Sequence, residues 1–193
     1  MPISNRRRVT LDPIVFTPRT LPAAIALAFG VIALPAAAVS DSVLISQVYG
    51  GGGNSGAIYR NDFIELYNRG TTAVSLAGWS IQYASAAGSS WSKTNLTGTL
   101  QPGQYYLIQQ AQGSGGSQSL PTPDAIGTIA MAATSAKVAL VNTTTALTCS
   151  ANCAAQPGVV DLVGYGSSAS SYEGSAPTAT LSNTTAALRN GAG

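Results

Sequence analysis

From residue 39 onward, the sequence predicts one all-β domain of the β-sandwich class, and three observations support this. Glycine, serine, threonine and alanine dominate a chain in which only 8% of the residues are charged. Short runs alternate between apolar and polar residues, with glycine, proline or asparagine at their ends. No stretch after residue 38 has the apolar periodicity of a surface helix, so about nine short strands are expected to form two packed sheets.

The first two strands are predicted on either side of a glycine-rich interruption. Val43–Tyr49 alternates in polarity, and the glycines within residues 50–56 end this strand. Asp62–Asn68 is the clearest strand of the chain, because Ile64 and Leu66 fall on the same face and suit a core. The glycine-rich run is therefore interpreted as a flexible connection between strands.

The next strand is predicted around the first tryptophan. The apolar residues Trp79, Ile81 and Tyr83 share one face of an extended segment. Ser80 and Gln82 share the other face. This alternation predicts a half-buried strand in which Trp79 anchors the core and the polar side chains face water.

A hairpin is predicted after that strand. Leu96–Leu100 and Gln104–Gln110 flank Pro102-Gly103, a dipeptide typical of tight turns. The two segments are therefore expected to pair with each other across the turn. Three further strands and a short apolar cluster in a low-complexity tail complete the predicted sandwich, at residues 125–131, 137–142, 159–165 and 186–188.

Residues 1–38 have the three parts of a secretory signal peptide. Arg6–Arg8 supply a positive region, Leu21–Leu34 is uncharged and apolar, and Ala36–Ala38 forms a small-residue cleavage site. Cleavage after Ala38 predicts a secreted domain, in the medium, in the periplasm or on the cell surface, with no membrane segment. The alternative is an uncleaved anchor, because the uncharged run approaches the ~20 residues that span a bilayer.

The charge of the chain argues against nucleic acid as a partner of the exported domain. The sequence has a net charge of +2, but four of its nine basic residues and one of its seven acidic residues lie before residue 39. Residues 39–193 therefore hold five basic and six acidic residues, a net charge of −1. Such a nearly neutral surface lacks the basic patch that binds phosphate backbones. Histidine is absent too, which removes the commonest general base and metal ligand.

Cys149 and Cys153 are the only cysteines in the sequence and stand four residues apart. In an exported chain, an even number of cysteines favours a disulfide, here a short one that would hold a loop. The alternative is a metal site, which would need further thiolate or imidazole ligands that the sequence lacks. A disulfide is the prediction, and neither a metal nor another cofactor is expected.

A series of motifs follows in a fixed order along the exported part of the chain. In sequence and spacing, they resemble the lamin tail domain family, in particular its bacterial exported branch. The resemblance implies an immunoglobulin-like β-sandwich that serves as a non-catalytic interaction module for a protein, polysaccharide or surface partner. The motifs are Ile45–Gly52, Asn54–Ala57, Asn61–Asn68, Leu76–Tyr83, Pro102–Ile108 and Gly127–Leu140.

The same resemblance implies an alternative function. In bacterial relatives this module often precedes the catalytic domain of a secreted, metal-dependent nuclease. The chain is then expected to be the N-terminal fragment of such an extracellular nuclease, with the catalytic domain missing from this sequence. No nuclease residue can be carried over to the present chain, so no catalytic residue is assigned under either hypothesis.

Three local patterns suggest chemistry but lack its context. Gly51–Gly56 matches the G-x-G-x-x-G spacing of dinucleotide-binding loops, yet a strand rather than a helix is predicted to follow. Ser90 and Lys93 match the S-x-x-K spacing of penicillin-binding enzymes without the companion motifs. Asp62 and Glu65, the best carboxylate pair, point to opposite faces of a strand and cannot converge on one substrate.

Three aromatic residues are the predicted ligand-facing candidates. Trp91 lies in a glycine- and serine-rich run, which favours a surface loop. Tyr105 and Tyr106 point to opposite faces of a strand, so one of the two should be exposed. Exposed aromatic rings stack on sugars or bases without the help of charge.

Overall fold

The computed structural model describes residues 42–190 of the chain. The predicted signal peptide and its cleavage site at Ala38 lie outside these residues. Within the described part there are eleven strands, and the only helix is a short 3₁₀ turn at Cys153–Ala155. No helix of this part is long and apolar enough to cross a membrane.

The strands form two main sheets and a small ribbon. The first sheet has the order β11-β1-β2-β7-β8, the second has the order β10-β9-β4-β5, and β3 pairs with β6. The pairings are antiparallel except for the parallel pair β7 and β8. The strands are β1 (Val43–Tyr49), β2 (Asn61–Asn68), β3 (Val74–Ser75), β4 (Ser80–Ser85), β5 (Ser92–Asn95), β6 (Thr99–Leu100), β7 (Tyr105–Gln112), β8 (Ala125–Ile126), β9 (Ala136–Val141), β10 (Val159–Tyr165) and β11 (Ala187–Leu188).

The main core lies between the two sheets, which confirms the predicted β-sandwich. Inward-facing aliphatic side chains of both sheets are fully buried there, and burial of each contributes about 1.5–3 kcal/mol to stability. Trp79 is half-buried and packs against this core. The principal core residues are Ile45, Val48, Ile64, Leu66 and Ile108 from the first sheet and Ile81, Val138 and Leu140 from the second.

The predicted hairpin across Pro102-Gly103 is wrong, although the turn itself is present. The N–H of Gln104 donates to the carbonyl of Gln101, yet β6 pairs with β3 and β7 pairs with β2. Asn68 explains this, because its side-chain Nδ2 donates to the carbonyl of Leu100 at 2.9 Å and its own carbonyl accepts from Gly103 N at 2.8 Å. The turn is therefore held against the end of β2, and β7 continues alongside that strand.

The expectation that β4 is half-buried is also wrong. Ser80 and Gln82 are fully buried, because residues 143–156, here called the cap, cover the outer face of the second sheet. The Ser80 hydroxyl donates to the carbonyl of Thr143 at 2.6 Å. The Gln82 side chain donates to the carbonyl of Thr145 at 2.8 Å and accepts from Leu147 N at 2.9 Å. These bonds satisfy the polar groups of the strand without water.

A buried lysine on β9 joins the cap to two other loops. Lys137 has no exposed surface, and its Nζ donates to the carbonyls of Gly88 and Ser150, both at 2.7 Å, and to the Ser170 hydroxyl at 3.0 Å. Burial lowers the pKa of this lysine. Its ammonium group also lies 5.5 Å from the centre of the Trp91 ring, within range of a cation–π contact. Three loops therefore share one cation.

The Lys137→Met substitution is expected to destabilise the fold by about 2–4 kcal/mol, because the methionine keeps the apolar stem but loses three charge-assisted hydrogen bonds to partly buried acceptors. Urea denaturation of the two proteins measures the difference. Lys93→Met is the matched control, since Lys93 is exposed on β5 of the same sheet and should change stability much less. Equal effects of the two substitutions would show that the ammonium group does not hold the loops.

Candidate functional site

The outer face of the first sheet carries a pattern of side chains that depends on a β-bulge. The pairing of β1 with β2 shifts register between Ile45 and Gln47, so Ser46 is an extra residue in β1. Ile45 and Val48 both point into the core as a result, and Gln47 points outward. Without the bulge, strict alternation would bring Val48 to the outer face.

Two tyrosines form a pair at one end of this face. Tyr67 on β2 lies directly opposite Tyr105 on β7, with ring centres 4.7 Å apart and planes inclined by 35°. Tyr105 is 44% exposed, and Tyr67 is half-buried beneath it. The pair therefore presents an aromatic surface whose orientation is fixed by stacking between the rings.

Polar side chains continue the face beside the tyrosines. Gln47, Glu65 and Leu107 lie opposite one another on three adjacent strands, and Gln109 lies two residues further along β7. All four are half-buried. Glu65 accepts a hydrogen bond at 2.6 Å from the hydroxyl of the bulged residue, which fixes the carboxylate. Six of the outward side chains are here called the tyrosine face, namely Gln47, Glu65, Tyr67, Tyr105, Leu107 and Gln109.

Tyr106 occupies the opposite side of β7, as the alternation along the strand predicted. Its side chain is buried, and its hydroxyl donates to the carbonyl of Thr97 at 2.9 Å. Burial raises the pKa of Tyr106, with the Thr97 hydrogen bond acting against that effect. Tyr106 is therefore a core residue and does not present its ring to a ligand.

Trp91 does not present its ring to a ligand either. Only 7% of its surface is exposed, because it packs with the cap against the outer face of the second sheet. Its Nε1 donates to the carbonyl of Cys149 at 2.9 Å. The glycines and serines before it suggested a surface loop, but they allow that loop to fold closely over the sheet. Of the three predicted ligand-facing aromatics, only Tyr105 remains a candidate.

Cys149 and Cys153 form the predicted disulfide, with their Cα atoms 5.6 Å apart. The bridge lies in the cap and closes the loop whose carbonyl groups accept from Trp91 and Lys137. Neither cysteine is therefore available to bind a metal. Within residues 42–190, no group of three or more histidine, cysteine, aspartate or glutamate side chains is placed to hold a metal ion.

The glycine-rich run is packed against other backbone and is not the flexible connection that the sequence suggested. A Cβ atom on Gly52 would lie 2.0 Å from the carbonyl carbon of Asn61, and one on Gly53 would lie 2.2 Å from the Cα of Gly113. Such distances are far inside van der Waals contact. The run precedes β2 and no helix, so it lacks the helix N-terminus of a dinucleotide site.

Asp62 holds this glycine run in place. Its carboxylate is buried and accepts from the N–H of Gly52 at 2.9 Å and from the N–H of Met131 at 2.8 Å. Burial raises the pKa of Asp62 to about 6, although the two peptide donors act in the opposite direction. Both carboxylate oxygens are therefore used by the backbone, and Asp62 has a structural role.

A comparison with family models matches residues 36–190 to the lamin tail domain, and a search of curated proteins finds no significant match. The matched range covers the whole described sandwich and most of the sequence. The chain belongs to the lamin tail domain family. The immunoglobulin-like β-sandwich that the sequence motifs implied is thus confirmed. Lamin tail domains are non-catalytic, interaction-type domains.

Alternation along the sequence gave Tyr105 as a candidate but did not give its surroundings. Tyr67 was predicted to lie in a strand. Its pairing with Tyr105, which lies 38 residues further along the chain, depends on the register between β2 and β7. The bulge at Ser46 leaves no clear signal either, because Val43–Tyr49 also alternates acceptably without it.

The Gly52→Ala substitution is expected to cost more than about 3 kcal/mol or to prevent folding, since the new methyl group would overlap the backbone of Asn61. Chemical denaturation measures this. Gly56→Ala is the control in the same run, because a Cβ there meets nothing within 4 Å and only the φ of +78° is unfavourable. Wild-type stability of the Gly52 variant would contradict the close packing of the run.

Proposed function

We propose that this lamin tail domain is a non-catalytic module that binds a neutral polysaccharide through the tyrosine face. The observation that carries the proposal is the stacked pair of Tyr67 and Tyr105, with Tyr105 44% exposed. An exposed aromatic ring offers an apolar surface to the C–H face of a sugar ring. The fixed pair loses little conformational entropy when a ligand binds.

The remaining groups of the tyrosine face suit the hydroxyl groups of a sugar. The amides of Gln47 and Gln109 each offer donors and an acceptor, and the carboxylate of Glu65 offers acceptors. Glu65 is the only charged side chain among the six residues of the face. An uncharged polymer therefore fits better than an anionic polysaccharide or a nucleic acid, which Glu65 would repel.

The other broad surface of the sandwich is less suitable for binding. The cap covers the outer face of the second sheet, and the side chains of Ser80 and Gln82 that point to it are already hydrogen-bonded. The tyrosine face, in contrast, carries an exposed aromatic ring, that of Tyr105. Its position on strands rather than on loops favours a preformed site.

We also propose that the module acts outside the cytoplasm. The signal-peptide features of residues 1–38 support export. The Cys149–Cys153 disulfide is compatible with an oxidising compartment, where such bonds persist. The part of the chain after residue 38 is nearly neutral. We therefore expect the module to recognise its ligand through direct contacts rather than through long-range electrostatic attraction.

The Tyr105→Ala substitution is expected to weaken binding to a neutral glucan or mannan at least about tenfold, because the exposed ring is the main contact. Affinity electrophoresis of residues 39–193 in gels with the glucan, the mannan, an anionic polyuronate or no polymer measures this. The wild-type domain should be retarded by a neutral polymer, and less by the polyuronate.

Ile58→Ala is the control, since Ile58 is 47% exposed in the loop before β2 and is not one of the residues of the tyrosine face. This variant should bind like the wild type. Equal retardation of the Tyr105 and wild-type proteins would contradict the assigned face, and no retardation by either neutral polymer would contradict the ligand class.

A second candidate function is the positioning of a secreted nuclease, as the resemblance to bacterial lamin tail domains implies. One observation favours it: the peptide N–H of Arg189 donates to the carbonyl of Ser46 at 2.9 Å, which anchors the last described residues to β1. Any domain that followed would leave the sandwich from a fixed point. Genomic sequence beyond the codon for Gly193 tests this, since an open frame into a catalytic domain is expected only under this hypothesis.

Export itself predicts a measurable product. When the full sequence is expressed in a host with a secretion pathway, the protein in the periplasm or medium should begin near Val39, because cleavage is expected after Ala38. Intact-mass measurement gives the first residue. An exported domain should also lack free thiols. Recovery of the full-length chain in the membrane fraction would support the uncleaved anchor instead.

A further inference from the structure

A groove of ≈ 220 Å³ lies where the two sheets meet at one side of the sandwich. Its walls come from β1, β10, the last residues around β11 and the segment formed by residues 172–178. The segment is attached to β10 by a hydrogen bond from Thr178 N to the carbonyl of Gly164 at 2.9 Å. Three charged side chains, from three different parts of the chain, meet beside this groove.

Asp161 on β10 is the centre of the charged cluster. Its carboxylate has no exposed surface and accepts from the N–H of Ile45 at 2.6 Å and from the N–H of Leu162 at 3.0 Å. Nη2 of Arg189 contacts its two oxygens at 2.7 and 2.9 Å. Arg189 also donates from Nε to the carbonyl of Ile45 at 3.1 Å. The cluster thus ties the residues after β11 to both β1 and β10.

Glu173 adds a second carboxyl group to a site with only one guanidinium group. Its side chain is 9% exposed, and its Oε2 lies 3.8 Å from Nη2 of Arg189 without a hydrogen-bond partner. Arg189 is already committed to Asp161. Burial, followed by the neighbouring charge of Asp161, raises the pKa of Glu173 to about 8, and Arg189 acts against this rise. At neutral pH the Glu173 carboxyl therefore keeps its proton and can share it with Asp161 in a hydrogen bond.

We propose that Asp161, Glu173 and Arg189 form a proton-dependent clasp that fastens β11 and residues 172–178 against β1 and β10, and that loosens when the shared proton is lost. With the proton present, the cluster has one negative and one positive charge and is balanced. Without it, two buried carboxylates face one guanidinium, and the excess charge is relieved when Glu173 moves into water. The groove beside it gives water a path to the cluster.

The charged groups that face Glu173 are few in residues 42–190. β10 contributes Asp161, and the residue after β11 contributes Arg189. β1 contributes peptide groups and uncharged side chains to the groove, and residues 172–178 contribute the hydroxyl of Tyr172. The pH response of the clasp is therefore expected to follow Glu173 alone.

The direction of the response follows from the two states of Glu173. In the closed clasp its pKa is about 8, whereas in water a glutamate has its ordinary value of 4.5. A group with a raised pKa in the closed state favours closure most strongly below its ordinary pKa. The equilibrium constant for closure is therefore largest at or below about pH 4.5. It falls by up to about tenfold per pH unit as the pH rises, and it levels off above about pH 8.

Amide hydrogen exchange of residues 39–193 tests the clasp between pH 5 and pH 8. The amides of Arg189 and Thr178 report on the two fastened segments, and the amide of Ile64 on β2 reports on global opening. After correction for the intrinsic pH dependence of exchange, protection of Arg189 and Thr178 relative to Ile64 should fall by up to about tenfold per pH unit. The Ile64 reference removes the contribution of Asp62, which titrates in the same range.

Glu173→Gln is the test variant, because its amide can donate to Asp161 at every pH as the protonated carboxyl does. Relative protection in this variant should be independent of pH and as high as that of the wild type at pH 5. Glu65→Gln is the matched control and should behave like the wild type. A flat profile in the wild type would overturn the proposal, and so would an equal fall in the wild type and the Glu173 variant.

Discussion

One buried ammonium group determines which surface of the sandwich is covered. Lys137 rises from the outer face of the second sheet, where a lysine would normally be in water. Its charge is solvated instead by two peptide carbonyls and a hydroxyl from three separate loops. Because those loops must stay over β9 to satisfy the cation, the second sheet is covered on both sides. The face with Tyr105 belongs to the other sheet and keeps one exposed aromatic ring.

The sequence was sufficient for the positions of the longer strands. The bounds of β1 and β10 agree with the prediction, and β2, β7 and β9 differ by one or two residues. These segments have a clear period of two, which depends only on local residues. The pairing across Pro102-Gly103 and the burial of β4 could not be predicted correctly. Alternation shows which side chains share a face of a strand, but it does not show which strand pairs with it or what covers that face. Ser80 and Gln82 face a loop that lies more than 60 residues further along the chain.

The functional surface could be predicted only in part for the same reason. The opposite directions of Tyr105 and Tyr106 follow from strand geometry alone, and they agree with the structure. The partners of Tyr105 depend on strand register and on the bulge at Ser46, which are decided by tertiary packing. Trp91 is the opposite case. The glycine- and serine-rich sequence before it suggested an exposed loop, yet contacts with residues distant in the sequence bury its ring. The Asp161–Glu173–Arg189 cluster draws on three segments and has no motif at all.

The glycine run has a consequence for how distant relatives are recognised. Gly51–Gly56 matches the spacing of a dinucleotide-binding loop, but glycine at positions 50–53 is required by neighbouring backbone, at Ala132, Asn183, Asn61 and Gly113. A chain that adopts this sandwich can lengthen most of its loops without penalty, yet it has no clearance for a side chain at these four positions. The run therefore serves as a marker of the fold, and a search that reads it as a marker of nucleotide chemistry would group this protein with the wrong relatives.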